Sequence, residues 1–420
     1  MRRLVALLGS RTGRNLLYLY LAQGANYLFP LVTLPYLARV LGPEGFGVLA
    51  LGQSLAVYLQ LVVEYGFTLS GTREVARHRE DREALAHIFA GVLGAKALLA
   101  VPALSLALLV QGLPSLKGKE EVVLAAFFWA VAWGFSPVWF FQGLERMREV
   151  ALLEVLTRAL ATAGVLVWVR SPEQVHWPLF LNGAGALVAT IMGTFWLKRD
   201  FPIRLPNLGD GWRFLRLGFG LFFFRLAVSL YTAANPLILS FFAPPAQVGL
   251  YGGAERITKA FLAMVDPFSR VFFPRFAHGV REDPKEAGRL ASRVFLLMGG
   301  IGMGGALLLG LLAPWVVRLL LGPGYEGAVP LMRTLVFLLP LIALSNLLGI
   351  QWMLAWGMDR AFHAIIVGAG LVNLASASVF SYLWGPQGLA WAVVLVEALV
   401  TGSMLWYLHV RRRLPWEVAR

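Results

Sequence analysis

The sequence contains no cysteine, so disulfides, thiolate metal sites and cysteine nucleophiles are excluded. Charge is scarce too: Asp, Glu, Lys and Arg make up 14% of the 420 residues against 58% hydrophobic residues, and the mean hydropathy is +0.68. A water-soluble core cannot absorb that much apolar surface. Also missing are a G-x-x-x-x-G-K-[ST] phosphate loop, H-E-x-x-H, a paired D-x-D for a metal-bound sugar nucleotide, and a serine in G-x-S-x-G. ATP-driven transport by this chain alone is therefore not expected, nor is any catalytic residue, metal site or cofactor. Long polar loops are absent as well, which leaves no room for a soluble catalytic domain on either side of a membrane.

What the sequence does have is a series of apolar runs of about 20 residues, each long enough to cross roughly 30 Å of hydrocarbon as a helix. The expected spans are 15–39, 46–69, 84–110, 121–143, 149–169, 176–197, 212–242, 247–273, 288–313, 327–354, 361–384 and 387–410. A transmembrane barrel would alternate polar and apolar residues, whereas 122–141 and 393–408 are apolar on nearly all sides, so the fold class is an all-α integral membrane protein of twelve helices. Arg2, Arg3, Arg11 and Arg14 precede a first run without a small-residue cleavage site, which reads as a retained helix rather than a signal peptide. The net charge of +14 is read as the positive-inside bias of a membrane protein, with no nucleic-acid partner. Arg73, Arg77, Arg79, Arg82, Arg146, Arg148, Lys198, Arg199, Arg360 and Arg411 to Arg413 all fall on one side of the alternating spans. That predicts both termini in the cytoplasm and a multi-pass protein of the inner (cytoplasmic) membrane.

The first two spans can be laid on the seventh and eighth without a gap. Pro43 then falls on Pro245, Gly47 on Gly249, Gln23 on Arg225, Gln53 on Glu255, Glu64 on Asp266 and Arg73 on Arg275. This register predicts two halves, 1–205 and 206–420, each with six helices in the same orientation. The first and seventh spans also carry Pro30 and Pro35, and Pro236, which are expected to break them. Interrupted helices in corresponding places point to a substrate path and to hinges.

Four stretches are familiar in combination: 35–55 (PYLARVLGPEGFGVLALGQSL), 64–76 (EYGFTLSGTREVA), 137–145 (PVWFFQGLE) and 230–256 (LYTAANPLILSFFAPPAQVGLYGGAER). Together they resemble Wzx-type polysaccharide (O-antigen) flippases of the multidrug/oligosaccharidyl-lipid/polysaccharide exporter superfamily. The resemblance implies a MATE-like fold of two six-helix bundles around a central cavity that opens alternately to the two sides. It also implies a substrate, an oligosaccharide repeat unit on a polyprenyl diphosphate lipid, flipped from the cytoplasmic to the outer leaflet.

An ionisable side chain inside a bilayer is costly unless it faces a partner or a wet cavity. Lys96, Arg158, Arg225, Arg256 and Lys259 fall near the middle of their spans. Arg158 can pair with Glu154 and Lys259 with Glu255, each four residues away on one helical face, and for these two pairing is the plainer reading. Lys96 and Arg225 have no acid within a turn of their own helix, and Arg256 points about 100° away from Glu255. A diphosphate that leaves water needs such cations, arginine offering a fork of donors and lysine a point charge. With Gln23 and Gln53 these residues form the expected headgroup site. Glu64, Asp266 and Glu397 are the candidates for H+ or Na+ coupling, since burial lets a carboxylate hold a proton. Simple pairing with Arg73 or Arg270 is the plainer account of Glu64 and Asp266. Trp129, Trp133 and Trp139 could stack on sugars, although lipid-facing packing explains them more cheaply.

Three other readings compete. A lipid II-type peptidoglycan-precursor flippase belongs to the same superfamily, but its members usually have two further helices. A cation-coupled multidrug antiporter calls for an acidic cavity, and the intramembrane charges here are net basic. A membrane-embedded glycan polymerase or ligase needs a substantial outer loop. The expected protein is a transporter, not an enzyme, whose partners are membrane lipids, the lipid-linked oligosaccharide and polysaccharide polymerase or export machinery.

Overall fold

The computed structural model describes residues 11–112, 115–202, 206, 208–263 and 275–420. Arg2, Arg3, Arg204, Asp266 and Arg270 lie outside the described residues. Two compact units divide the chain, Met1–Leu226 and Ala227–Arg420. They differ from the halves expected at 1–205 and 206–420 by most of one helix.

The first unit holds α1 (Arg11–Glu64), α2 (Phe67–Arg77), α3 (Arg82–Val110), α4 (Glu120–Gly134), α5 (Val138–Gly143), α6 (Met147–Trp168) and α7 (Trp177–Asp200), together with most of α8 (Leu208–Thr232). The second holds α9 (Asn235–Leu239), α10 (Pro245–Ala263), a helical segment at 275–282, α11 (Pro284–Leu320), α12 (Ala328–Leu335), α13 (Leu338–Asn346), a π-helical stretch at Leu347–Met353, α14 (Asp359–Val410) and α15 (Pro415–Val418). Local chemistry sets several starts. Asp81 accepts the Ala84 N–H at 3.0 Å ahead of α3, and Asp283 accepts the Glu286 N–H at 3.0 Å ahead of α11, where Pro284 takes the first position and needs no donor.

Among the described residues eight helices are long and apolar enough to cross a membrane. Two of them contain an internal break that divides each into two lengths. The long α1 leaves helical geometry at Gly42 (φ 64°, ψ 176°) just before Pro43, and α14 does so at Gly385 (φ 57°, ψ −139°) just before Pro386. A backbone with φ that positive is open to glycine and strained for residues with a Cβ, and the proline behind it is pre-set for the first helical position. A third such pair, Gly322 (φ 90°) and Pro323, follows α11. The remaining two expected spans fall on α8 and α10, of 25 and 19 residues. One expectation is corrected here: α1 stays helical through Pro30 and Pro35, so the first span is not broken at either proline. A proline costs one i→i−4 bond but keeps a helical φ, and membrane helices tolerate it where neighbours satisfy the freed carbonyl.

The turns of the first unit collect at two ends. Gly42 to Gly45, Gly118 to Val122 and Pro172 to His176 line one cavity of about 520 Å³. At the α2–α3 connection Arg79 reaches the other group of turns, pairing with Glu145 at 2.8 Å and donating to the Gly143 carbonyl at 2.8 Å. Helices approach closely where side chains are smallest: a Cβ on Gly185 of α7 would lie 2.6 Å from the Thr157 carbonyl oxygen of α6. In the second unit α11 packs a stripe of Ala287, Ala291, Val294, Met298, Gly302, Ala306, Leu309 and Ala313 inward, and exposes Leu296, Leu307, Leu308, Leu311 and Trp315. Small residues inside and leucine outside is the arrangement that lipid, not water, permits.

Candidate functional site

A buried polar cluster of the first unit forms where α1 gives way to α2. Tyr65 (φ 48°) and Gly66 (φ 83°) turn the chain, and Glu64 sits buried at the end of α1. Its carboxylate accepts the Thr68 N–H at 3.0 Å and the Thr68 hydroxyl, so it caps the exposed donors at the start of α2. The other oxygen takes Arg225 Nη1 from α8. This contact rests on close packing of α8 against the turn. Tyr65 stacks on Phe222 with ring centroids 4.6 Å apart, and Gly218 leaves no room for a Cβ beside the Tyr65 carbonyl, 3.0 Å away. Further along, a Cβ on Gly211 would lie 2.8 Å from the Ala95 nitrogen, which brings α8 against α3 next to Lys96.

Lys96 is 1% exposed. Its ammonium stands 5.5 Å over the ring of Trp139, a cation–π contact, and Glu64 is the carboxylate whose charge acts on it. Among the described residues no hydrogen bond or ion pair reaches it. Trp139 differs from the lipid-facing expectation: it is 3% exposed, its carbonyl accepts the Thr72 hydroxyl at 2.9 Å, and Gly71 faces its ring. The locus thus gathers two cations and one carboxylate. Glu64 pairs with Arg225, whereas Arg73, its plainer expected partner, lies 4.0 Å from Glu74.

Arg158 belongs to a separate cluster. Glu154 and Arg158 are linked through Asn26 of α1, which donates to Glu154 at 3.3 Å and accepts from Arg158 Nε at 3.1 Å, and the guanidinium lies 5.4 Å over Trp133. Sequence reasoning passed over Asn26, although a lone amide in the middle of an apolar span is a signal. Gln23 and Gln53 are half-buried on α1, on either side of Gly42.

In the second unit Lys259 pairs with Glu255 at 3.1 Å and donates to the Thr232 carbonyl at 3.1 Å. Arg256 is half-buried, with Glu255 and Tyr325 acting on it electrostatically. Helix ends at Thr232 and resumes at Asn235, with Pro236 in the first turn of α9. Asn373, fully buried on α14, donates to the Leu230 carbonyl at 3.1 Å and to Asn235 Oδ1 at 3.2 Å. Glu397 is 4% exposed and accepts the Ser345 hydroxyl at 2.6 Å; among the described residues no cation pairs with it.

These clusters place cations, carboxylates and amides together inside each unit. Among the described residues no group of three or more His, Asp or Glu side chains is placed to hold a metal ion.

Comparison with known proteins gives a consistent set. A family model described as polysaccharide biosynthesis protein matches residues 12–280. The chain is 31% identical over 403 residues to a protein of Escherichia coli (strain K12) named "Putative O-antigen transporter", covering 94% of this chain and 96% of the relative. A protein of the same name from Shigella dysenteriae is 27% identical over 406 residues, covering 93% and 98%. Among solved structures, the lipid II flippase MurJ in an inward closed conformation superposes with a TM-score of 0.71 at 12% identity, covering 96% of this chain and 89% of that one. An inward-facing MATE family multidrug resistance transporter of the MOP superfamily gives 0.70 at 16% identity, covering 93% and 95%. These two likenesses show the fold.

Proposed function

Because the chain belongs to the polysaccharide biosynthesis protein family, we propose that it flips polyprenyl-diphosphate-linked oligosaccharide units from the cytoplasmic to the outer leaflet of the inner membrane. The observation that carries this reading is the charge imbalance around Glu64. A buried charge without a counter-ion costs several kcal/mol, yet among the described residues Arg225 pairs with Glu64 and Lys96, on which Glu64 acts only through its charge, has no ion-pair partner of its own. The anion that completes the set is the diphosphate. Arg225 gives Nη1 to Glu64 and keeps its remaining N–H groups for phosphate oxygens, and about a third of its side chain is exposed to receive them. Lys96 adds a point charge from beneath. No bond is made or broken in this transfer, so the protein works as a transporter and not as an enzyme.

The remaining assignments follow from the same logic. Arg256 and Lys259 of the second unit and Arg158, Gln23 and Gln53 of the first provide further headgroup contacts. Glu397, with no cation paired to it among the described residues, and Glu64, when Arg225 turns to the substrate, are the carboxylates that hold a proton or bind sodium for coupling. Pro236 marks a hinge, both termini face the cytoplasm, and the unit delivered to the outer leaflet is what polysaccharide polymerase or export machinery consumes.

The test is flipping of a radiolabelled lipid-linked oligosaccharide by the purified chain in proteoliposomes. Arg225→Ala should cut the rate by about tenfold or more, the loss expected for a charge-assisted hydrogen bond. Arg225→Lys should keep part of the activity. Equal rates and equal substrate affinity in the Ala variant would return Arg225 to a structural role.

A further inference from the structure

Where helix stops at Thr232, two backbone carbonyls have exchanged helical donors for side chains. Ala233 N–H still donates to the Ser229 carbonyl at 2.8 Å, and the ladder is running again where Ile238 N–H meets the Ala234 carbonyl at 2.9 Å. Between them lies Thr232, whose carbonyl would accept from residue 236 in an unbroken helix. Residue 236 is proline and has no N–H to give. The Lys259 ammonium fills that vacancy at 3.1 Å, while Asn373 Nδ2 takes the Leu230 carbonyl at 3.1 Å. A carbonyl left without a donor inside a membrane is costly, so both side chains stabilise the break itself.

The two differ in what else can reach them. Asn373 is 0% exposed, and its amide also donates to Asn235 at the start of α9, so it ties the two ends of the break together from inside the unit. The Lys259 side chain is 52% exposed, shared between the Thr232 carbonyl and Glu255, and open to an incoming anion. A phosphate oxygen is a stronger partner for an ammonium than a neutral carbonyl is.

We propose that Lys259 and Asn373 are positioning residues that hold the break between α8 and α9. Asn373 is the permanent pin and Lys259 the releasable one. An anionic diphosphate headgroup draws Lys259 off the Thr232 carbonyl and loosens the bend. This second step rests on the diphosphate reading above, whereas the pinning itself does not.

The chain's lack of cysteine makes the experiment clean. A single cysteine at Val228, beside the break, is labelled with a thiol reagent in proteoliposomes, with and without geranylgeranyl diphosphate as probe, and binding of the probe is measured in parallel. Without probe, Lys259→Met and Asn373→Leu should each raise the labelling rate roughly fivefold, the scale of one lost hydrogen bond. Lys259→Arg, which can still donate, should stay near the wild-type rate. The decisive arm is Pro236→Ala, which gives residue 236 an N–H for the Thr232 carbonyl. Combined with Lys259→Met it should return labelling to the wild-type rate, a rescue that a merely structural lysine would not show. If Lys259→Met labels like wild type, or Pro236→Ala does not rescue it, the pinning is wrong. With probe, wild type should rise toward the Lys259→Met rate, and Lys259→Met should not respond further. Probe that binds wild type without changing its labelling rate overturns the release step alone. Probe that does not bind overturns the release step together with the diphosphate reading, and leaves the pinning to be decided by the arms without probe.

Discussion

At the scale of single residues, Lys96 separates a binding role from a folding role more cleanly than any other side chain in the first unit. It is buried, it has an aromatic face beneath it, and it lacks a hydrogen-bond acceptor among the described residues. Its charge therefore costs stability where it stands. A buried charge with no hydrogen-bonded partner carries its desolvation cost uncompensated, and an apolar side chain of similar shape does not. Lys96→Met should accordingly melt at the same temperature as wild type or higher in detergent, while flipping falls by about tenfold or more. A variant that melts lower and still transports would show that Lys96 serves the fold. Lys96 and Arg225 were legible in the sequence because each stands in an apolar stretch with no acid within a turn. Their common partner was not, since the Glu64–Arg225 contact joins residues 161 positions apart and depends on how α8 packs against the end of α1. Asn26 and Asn373 were missed for a different reason. An amide carries no charge to advertise it, yet each satisfies groups that would otherwise be left bare in the interior.

At the scale of elements, the sequence showed where apolar runs begin and end, including the turns at 40–45 and 385–386, but it also expected a break inside the first run where helix continues. Pro30 and Pro35 drew attention as breakers, and α1 runs through both. Of the three prolines expected to break helices, Pro236 stands at a place where helix stops and restarts. The turns that separate spans inside α1 and α14, and the one after α11, carry a different signature, a glycine with positive φ directly before a proline. This pair was visible as L-G-P at 41–43 and 321–323 and W-G-P at 384–386. Its meaning is conformational: proline keeps a helical φ, so it weakens a helix without ending it, while glycine opens a region that L side chains reach at a cost of about 1–3 kcal/mol. Gly42→Ala should therefore lower stability by roughly that amount, even though no atom lies within 4 Å of the new Cβ. Gly24→Ala is the matched control. It also has open space around it but lies in regular helix, where alanine gains about 0.5–1 kcal/mol over glycine. Thermal melting of the two variants in the same detergent should move in opposite directions; a matching shift in both would mean that the φ at Gly42 is not the constraint.

At the scale of the whole molecule, composition alone made membrane residence legible, and the excess of lysine and arginine on one side of the alternating spans predicts the sidedness. Within each unit taken by itself, the structure shows which turns meet. In the first unit the cavity formed by the turns at Gly42, Gly118 and Pro172 is edged by Glu44, Glu120, Glu121 and Glu173, with Lys119 among them. The turns that meet through Arg79 and Glu145 carry Arg73, Arg77, Arg82, Arg146 and Arg148, and Arg146 pairs with Asp200 at the end of α7 at 2.5 Å. In the second unit the tail returns to one end of the helices: Arg413 lies 3.7 Å over Trp356, its carbonyl accepts Trp352 Nε1 at 2.7 Å, and Lys285 donates to the Arg420 carbonyl at 2.9 Å. Arg275, Arg289 and Arg293 line a cavity of about 550 Å³ at that same start of α11. Basic turns stay on the cytoplasmic side because lysine and arginine in short loops resist translocation, whereas acidic residues contribute little to orientation. Single cysteines at Glu80 and Met358 should therefore react with a membrane-impermeant thiol reagent only when the inner face is open to it, and those at Glu44 and Gly118 only from outside. Each unit contributes its own sites, so the two orientations are read independently. A cysteine at Met358 that labels from outside while Glu80 labels from inside would put the two units in opposite orientations, and would overturn both the parallel-halves register and the cytoplasmic C-terminus.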